Sequence, residues 1–189
     1  MPIEIIEESV AALPEYEKVP IAFRVESHLI IVPIDNGLGG LKLVEKAVTP
    51  YIKNYDANAN NRPAQWHKRF DISRWGILAA FDGAKRVGGA AVAWRTPELS
   101  PPGRQDDIAC LWDLRVHPDY RNQGIGHNLF TRALTWSRER SCRRIKIETQ
   151  NINVPACRFY ARRDCELAGI DRCAYETIDE IQLLWYRDV

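Results

Sequence analysis

Residues 121–126, Arg-Asn-Gln-Gly-Ile-Gly, join an apolar stretch (Ile108 to Val116) to a long amphipathic one, with a turn at His117-Pro118-Asp119 between them. Glycines at the mouth of a helix let backbone N–H groups approach an anion, and the helix dipole favours negative charge there. The chemistry on offer is phosphate binding. A dinucleotide fingerprint would need a third glycine where Leu129 stands, and it would close a strand directly instead of following a Pro-containing turn. Glu148 would supply its acidic residue, so that match is half made.

Groups suited to proton transfer lie on either side of this segment. Asp113 and Glu148 fall at or near the ends of neighbouring strands, and Tyr160 and Asn153 follow on a short helical stretch. A carboxylate can take a proton from a reacting group, and a phenol with a pKa of about 10 can supply one. Each residue has a plainer alternative. Asp113 can be a structural hydrogen-bond acceptor, Tyr160 a core tyrosine and Asn153 a helix N-cap. Glu148 can bind a substrate cation or act as base, and Arg158, Arg162 and Arg163 can reach a phosphate or form a solvated helix face. His117, beside Pro118, reads as a turn residue.

The run R-x-x-G-x-G after V-x-P resembles motif A of the GNAT superfamily of acyl-CoA N-acyltransferases. The superfamily pattern N-x-x-A-x-x-F-Y is met by Asn153, Ala156, Phe159 and Tyr160. The fuller run E-T-Q-N-x-N-x-x-A-C-x-F-Y (Glu148 to Tyr160), with L-W-Y near the end of the chain, resembles the streptothricin acetyltransferases. Those antibiotic-resistance enzymes acetylate an amine on the β-lysine moiety of the drug. The resemblance covers about residues 111–189; the first hundred residues carry no matching motif.

That resemblance implies acetyl-CoA as co-substrate, no metal, and direct transfer through a ternary complex to a small cationic amine. The backbone of Leu114 and Val116 would pair with pantetheine, Arg121, Asn122, Gln123, Gly124, Ile125, Gly126 and His127 would hold the pyrophosphate, and Asn153 would bind the pantetheine arm. Tyr160 would be the acid and Asp113 the base, with Glu148 and Trp112 meeting the acceptor. Two rivals remain: another amine (polyamine, aminoglycoside or protein amine), and a non-catalytic CoA-binding sensor. Two positions depart from the family pattern. Asp164 stands where a glycine usually follows the second helix, and Trp112-Asp113 where some relatives have an acidic pair.

The elements that must position these residues are legible as periodicities. Ile21 to Val32 is strand-like, Gly37 to Ala47 reads as a short helix, and Asn54 to Asn61 reads as a loop. Trp75–Phe81 and Val87–Trp94 around Asp82-Gly83 make a hairpin, and Thr96–Asp107, with Pro97, Pro101, Pro102 and Gly103, a loop. Ile125, Leu129, Ala133 and Trp136 draw one face of a helix. A strand from Ile145 to Gln150, a helix from about Asn153 to Arg163, and strands at Ile170–Tyr175 and Ile181–Tyr186 complete the order. The expectation is an α/β fold: a GNAT-like mixed, mostly antiparallel central sheet with helices on both faces. It forms a single domain over 1–189 behind an irregular acidic lead-in at 1–18.

Composition narrows the class further. With 46% hydrophobic and 27% charged residues the chain should fold as an ordinary globular domain. Its 26 Lys and Arg against 25 Asp and Glu give no global field for nucleic acid or an anionic membrane. No run reaches the ~18 apolar residues of a membrane span, and the acidic N-terminus is unlike a signal peptide. The five cysteines form no C-x-x-C pair, which suits reduced thiols in a cytoplasmic protein rather than a zinc site. A homodimer is carried over from the superfamily only.

Overall fold

The computed structural model describes residues 2–100, 106–175 and 180–189. In chain order its strands are β1 (Glu4–Glu8), β2 (Phe23–Pro33), β3 (Leu41–Lys53), β4 (Gly76–Asp82), β5 (Lys85–Ala93), β6 (Ile108–Val116), β7 (Arg144–Gln150), β8 (Glu166–Asp171) and β9 (Gln182–Asp188). The helices are α1 (Leu13–Tyr16), α2 (Ile125–Glu139) and α3 (Val154–Ala161), with several 3-10 turns between elements. The fold is mixed α/β with a mostly antiparallel sheet. Two compact units share the chain: residues 1–22, 54–147 and 187–189 form one, residues 23–53 and 148–186 the other.

In the first unit the strand order is β1-β4-β5-β6-β7, antiparallel except for β6 with β7. Neighbouring glycines on β5 show how both faces are covered. A Cβ at Gly88 would meet Leu129 and Ile125 of α2, while one at Gly89 would lie 2.3 Å from the Tyr16 ring beside α1. Adjacent strand residues point to opposite faces, so α1 and α2 pack on opposite sides of the sheet. The predicted α2 stripe is the buried one: Ile125, Leu129, Ala133 and Trp136 are all at most 1% exposed. On the α1 side Leu13, Tyr16, Trp66, Phe70 and Trp75 build an aromatic core, with Trp112 packed at its margin.

The acidic lead-in is a strand and a helical turn rather than irregular chain. β1 pairs with β4 from Glu4↔Phe81 to Glu8↔Ile77. Its charges mask the pattern because they have partners on β5 and α2. Glu8 accepts two bonds from Arg86 at 2.7 and 2.9 Å, and Glu7 accepts from the Trp136 indole at 2.7 Å.

In the second unit β2 and β3 form a long two-stranded ribbon, and β9 lies between β8 and the end of β7. The helix expected at Gly37–Ala47 is instead the ribbon's turn and the start of β3. Asp35, Asn36, Gly37 and Gly40 all have positive φ, and from Leu41 the chain continues as a strand to Lys53. The Ile170–Tyr175 strand is likewise displaced: β8 ends at Asp171, where the Asp171 side chain accepts the Cys173 N–H at 2.8 Å and turns the chain. Of the loop expected at Thr96–Asp107, residues 101–105 lie outside the described residues. Among the described residues no helix is long and apolar enough to cross a membrane.

Candidate active site

β6 departs from regular alternation at one residue. Its register against β5 runs Gly88↔Val116 to Ala91↔Asp113 and then jumps to Val92↔Leu111, leaving Trp112 as the extra residue of a bulge. The bulge turns two successive side chains, Trp112 and Asp113, to the α1 face. The Trp112 ring meets Phe70 at 5.2 Å and Trp66 at 6.3 Å, and the Asp113 carboxylate meets the Tyr16 hydroxyl at 2.6 Å. Pairing of β6 with β7 ends at Leu111↔Ile147, so Trp112–Val116 extend beyond the last β7 partner. Leu114 and Val116 lie in this extension, where an edge of backbone can accept an added strand-like ligand.

Asp113 itself is 9% exposed and Arg115 only 2%. Arg115 donates Nε and Nη2 to the two Asp113 oxygens at 2.8 and 2.7 Å, and Nη1 to Asp56 at 2.8 Å and to the Val19 carbonyl at 3.1 Å. Burial alone would disfavour the guanidinium cation, but the facing Asp113 outweighs it and the charge is held more firmly than usual. Burial and then Asp113 push the Tyr16 phenol well above its ordinary value, so it stays a donor. Asp113, expected as the base, thus directs its lone pairs at Arg115 and Tyr16. These bonds fit the plainer alternative for Asp113, a structural hydrogen-bond acceptor. Asp113→Asn should lower stability by on the order of 2 kcal/mol in denaturant titration, leaving kcat within a few-fold; a collapse of kcat in the folded variant would restore the base role.

The loop before α2 passes through two left-handed residues. Asn122 has φ +62° and Gly124, the N-cap, φ +85°, with no side-chain cap and no acidic residue in the first turn. The first helical bond runs from Asn128 N–H to Gly124 C=O, which leaves the amides of Ile125, Gly126 and His127 ahead of it. Arg121 is placed differently from a phosphate ligand. Its Nε bonds the Val116 carbonyl at 3.0 Å and its Nη2 the Ala22 carbonyl at 2.8 Å, and burial lowers its pKa from the usual value. Gln123 bonds the Asp119 carbonyl, and His117 accepts the Asp119 N–H as a turn residue.

The remaining candidates belong to the second unit. Along the end of β7, Thr149 is buried and binds the Trp185 indole at 2.9 Å, while Glu148 and Gln150 share the opposite face. Glu148 is half-buried; its oxygens accept from the Tyr175 hydroxyl at 2.6 Å and from Gln182 at 2.7 Å. Asn153 caps α3, its Oδ1 accepting the Ala156 N–H at 3.2 Å. This engages the carbonyl of the side chain and not its amide donors. Tyr160, 6% exposed, sits on the α3 face that also buries Val154 and Cys157. Asp164 has φ +55°, the left-handed conformation that a glycine would adopt at this cap.

Asn151, inside the motif but without an assigned role, clasps the unit together. Its amide binds the Leu29 carbonyl at 3.0 Å and its Oδ1 the Ile181 N–H at 2.9 Å. A polar cavity of about 460 Å³ lies along the ribbon, lined in part by Arg24, Glu26, Ser27, Glu45, Val154 and Arg158. Its charges pair among themselves, Arg158 with Glu45 and Arg24 with Glu26 at 2.9 Å, and neither Glu148 nor Tyr160 lines it. Arg158 is therefore a solvated ion pair of the helix surface.

Residues 42–165, about two thirds of the chain, match the Acetyltransferase (GNAT) family. The chain belongs to that family. As a GNAT acetyltransferase it is an acyl-CoA N-acyltransferase with acetyl-CoA as co-substrate. The streptothricin acetyltransferase of Escherichia coli is 28% identical over 177 residues, 90% of this chain and 91% of that protein. Streptothricin acetyltransferase A of Bacillus subtilis (strain 168) is 36% identical over 81 residues, 41% of this chain and 47% of that protein. Among solved structures, a Bacillus anthracis str. Ames protein assigned as a streptothricin acetyltransferase, crystallised with acetyl coenzyme A, matches along the whole of both chains (TM-score 0.77, 22% identity). Nourseothricin acetyltransferase matches 100% of this chain and 99% of its own (TM-score 0.76, 20% identity). At these identities the structural matches establish the fold.

Proposed function

We propose that this GNAT acetyltransferase transfers acetyl directly from acetyl-CoA to a primary amine of a small, cationic, streptothricin-like acceptor. The carrying observation is the Glu148 carboxylate, half-buried and bonded by the neutral donors Tyr175, Gln182 and Gln150. No Lys or Arg among the described residues forms an ion pair with it, so its charge suits an ammonium group. The streptothricin acetyltransferase relatives support the same acceptor class.

In this reading the amides of residues 124–127 hold the pyrophosphate and the β6 backbone at Leu114 and Val116 aligns the pantetheine, with one N–H polarising the thioester carbonyl. The Asn153 amide donates to the pantetheine arm. Glu148 binds the amine and takes its proton, directly or through water. The amine nitrogen attacks the thioester carbon, the C–S bond breaks, and the Tyr160 hydroxyl protonates the departing thiolate. Trp112 contributes an aromatic wall on the acceptor side. Asp113 and Arg115 fix the bulged segment of β6.

Thiol release from acetyl-CoA, measured with streptothricin, spermidine, an aminoglycoside and a peptide α-amine, tests the acceptor. Streptothricin should be turned over with the highest kcat/KM. A clear preference for another amine overturns the acceptor class and leaves the acetyltransferase intact.

A further inference from the structure

Gln150 Nε2 donates to the Tyr175 hydroxyl at 2.7 Å, and that hydroxyl donates to Glu148 Oε1 at 2.6 Å. Gln182 Nε2 donates to Glu148 Oε2 at 2.7 Å, so each carboxylate oxygen has a fixed neutral donor. Several other partly buried carboxylates among the described residues face cations: Glu8 faces Arg86, Asp56 and Asp113 face Arg115, and Glu180 faces Lys53. The arrangement at Glu148 orients a carboxylate while leaving its charge unmatched. Burying a charge without a counter-ion is costly unless a ligand supplies one.

We propose that Tyr175 and Gln182 are positioning residues that fix the Glu148 carboxylate for a primary ammonium and thereby set the specificity for cationic acceptors. The proposal rests on the assignment of Glu148 to the acceptor and goes beyond it. Tyr175 lies outside the Glu148–Tyr160 motif, and its hydroxyl closes the donor chain from Gln150. A carboxylate free to rotate would still attract a cation, but it would hold the amine nitrogen less accurately against the thioester. The geometry assigns the same task to two donors from different segments, one before β9 and one at its first residue.

A double-mutant cycle tests this, with streptothricin and L-lysine methyl ester as acceptors and folding of each variant followed by thermal melting. Glu148→Gln should raise the acceptor KM at least tenfold with the acetyl-CoA KM unchanged. Tyr175→Phe, which keeps the ring, should raise the acceptor KM about five- to tenfold with a smaller change in kcat. Added to Glu148→Gln, it should cost less than twofold more, because its effect passes through that carboxylate. Gln182→Met gives an independent second cycle should Tyr175→Phe fail to fold. Multiplying effects in both cycles, or wild-type kinetics for Tyr175→Phe and Gln182→Met, overturn the positioning role while Glu148 keeps its acceptor assignment. A normal acceptor KM in Glu148→Gln, or turnover of neither amine by the wild type, overturns the acceptor reading itself and this proposal with it.

Discussion

Gly124→Glu is expected to abolish measurable acetyl-CoA binding while the chain still folds. The residue has φ +85°, and an added Cβ would meet no heavy atom within 4 Å, so the side chain has space to occupy. Gly124 is the N-cap of α2, so a carboxylate there would stand at the helix N-terminus and compete with and repel a pyrophosphate. The backbone strain of a non-glycine residue costs about 1–2 kcal/mol and must be separated from this effect. Gly124→Ala carries that strain without the charge and should bind within several-fold of wild type. Gly126→Glu, in the first turn, should repeat the loss. Calorimetric titration reads affinity and thermal melting reads the fold. Unchanged affinity in both glutamate variants would remove the phosphate site from this loop.

Tyr160→Phe should lower kcat on the order of 10²-fold with little change in acetyl-CoA affinity. The ring is 6% exposed on the buried face of α3, so phenylalanine keeps the packing and only the hydroxyl is lost. A proton donor to the departing thiolate acts late, in the transition state, so its removal falls on kcat and on kcat/KM together. Steady-state kinetics with saturating acetyl-CoA, beside single-turnover thiol release, distinguish this from slower product departure. Wild-type kcat in a folded Tyr160→Phe enzyme would leave the hydroxyl a packing group.

Most elements of the second half of the chain, though not the Ile170–Tyr175 strand, are legible because their signals are local. The α2 stripe, the left-handed Gly124 and the Asn153 cap are each set by a few neighbouring residues. Asp164 takes the left-handed cap backbone in place of a glycine, a conformation that aspartate tolerates. What escaped depends on distant partners. The acid-rich β1 becomes a strand because Arg86 and Trp136 receive its carboxylates from 78 and 129 residues away. Leu38, Leu41 and Val44 mimic helical spacing, yet Leu38 is 91% exposed at a turn tip. Asp113 was visible as a carboxylate, but its engagement by Tyr16, 97 residues away, was not. Glu148 stands out as a carboxylate within its motif, while its partners Tyr175 and Gln182 lie outside any pattern.

The β2–β3 ribbon also bears on how the chain assembles. The chain leaves the first unit at Ala22 and returns to it at Asn54, and the pair Phe23↔Lys53 closes the excursion at its base. Bringing together the ends of an open loop of that length costs roughly 3 kcal/mol in chain entropy. A ribbon that zips from its own turn meets this cost through contacts close in sequence, before any distant segment is needed. To the first unit, residues 23–53 then behave as a short connection, and its scattered segments can collapse without waiting for a long search. Insertions at the turn, Asp35 to Gly40, would lengthen the ribbon's tip without separating its base, which makes that turn the point at which the chain can grow at least kinetic cost.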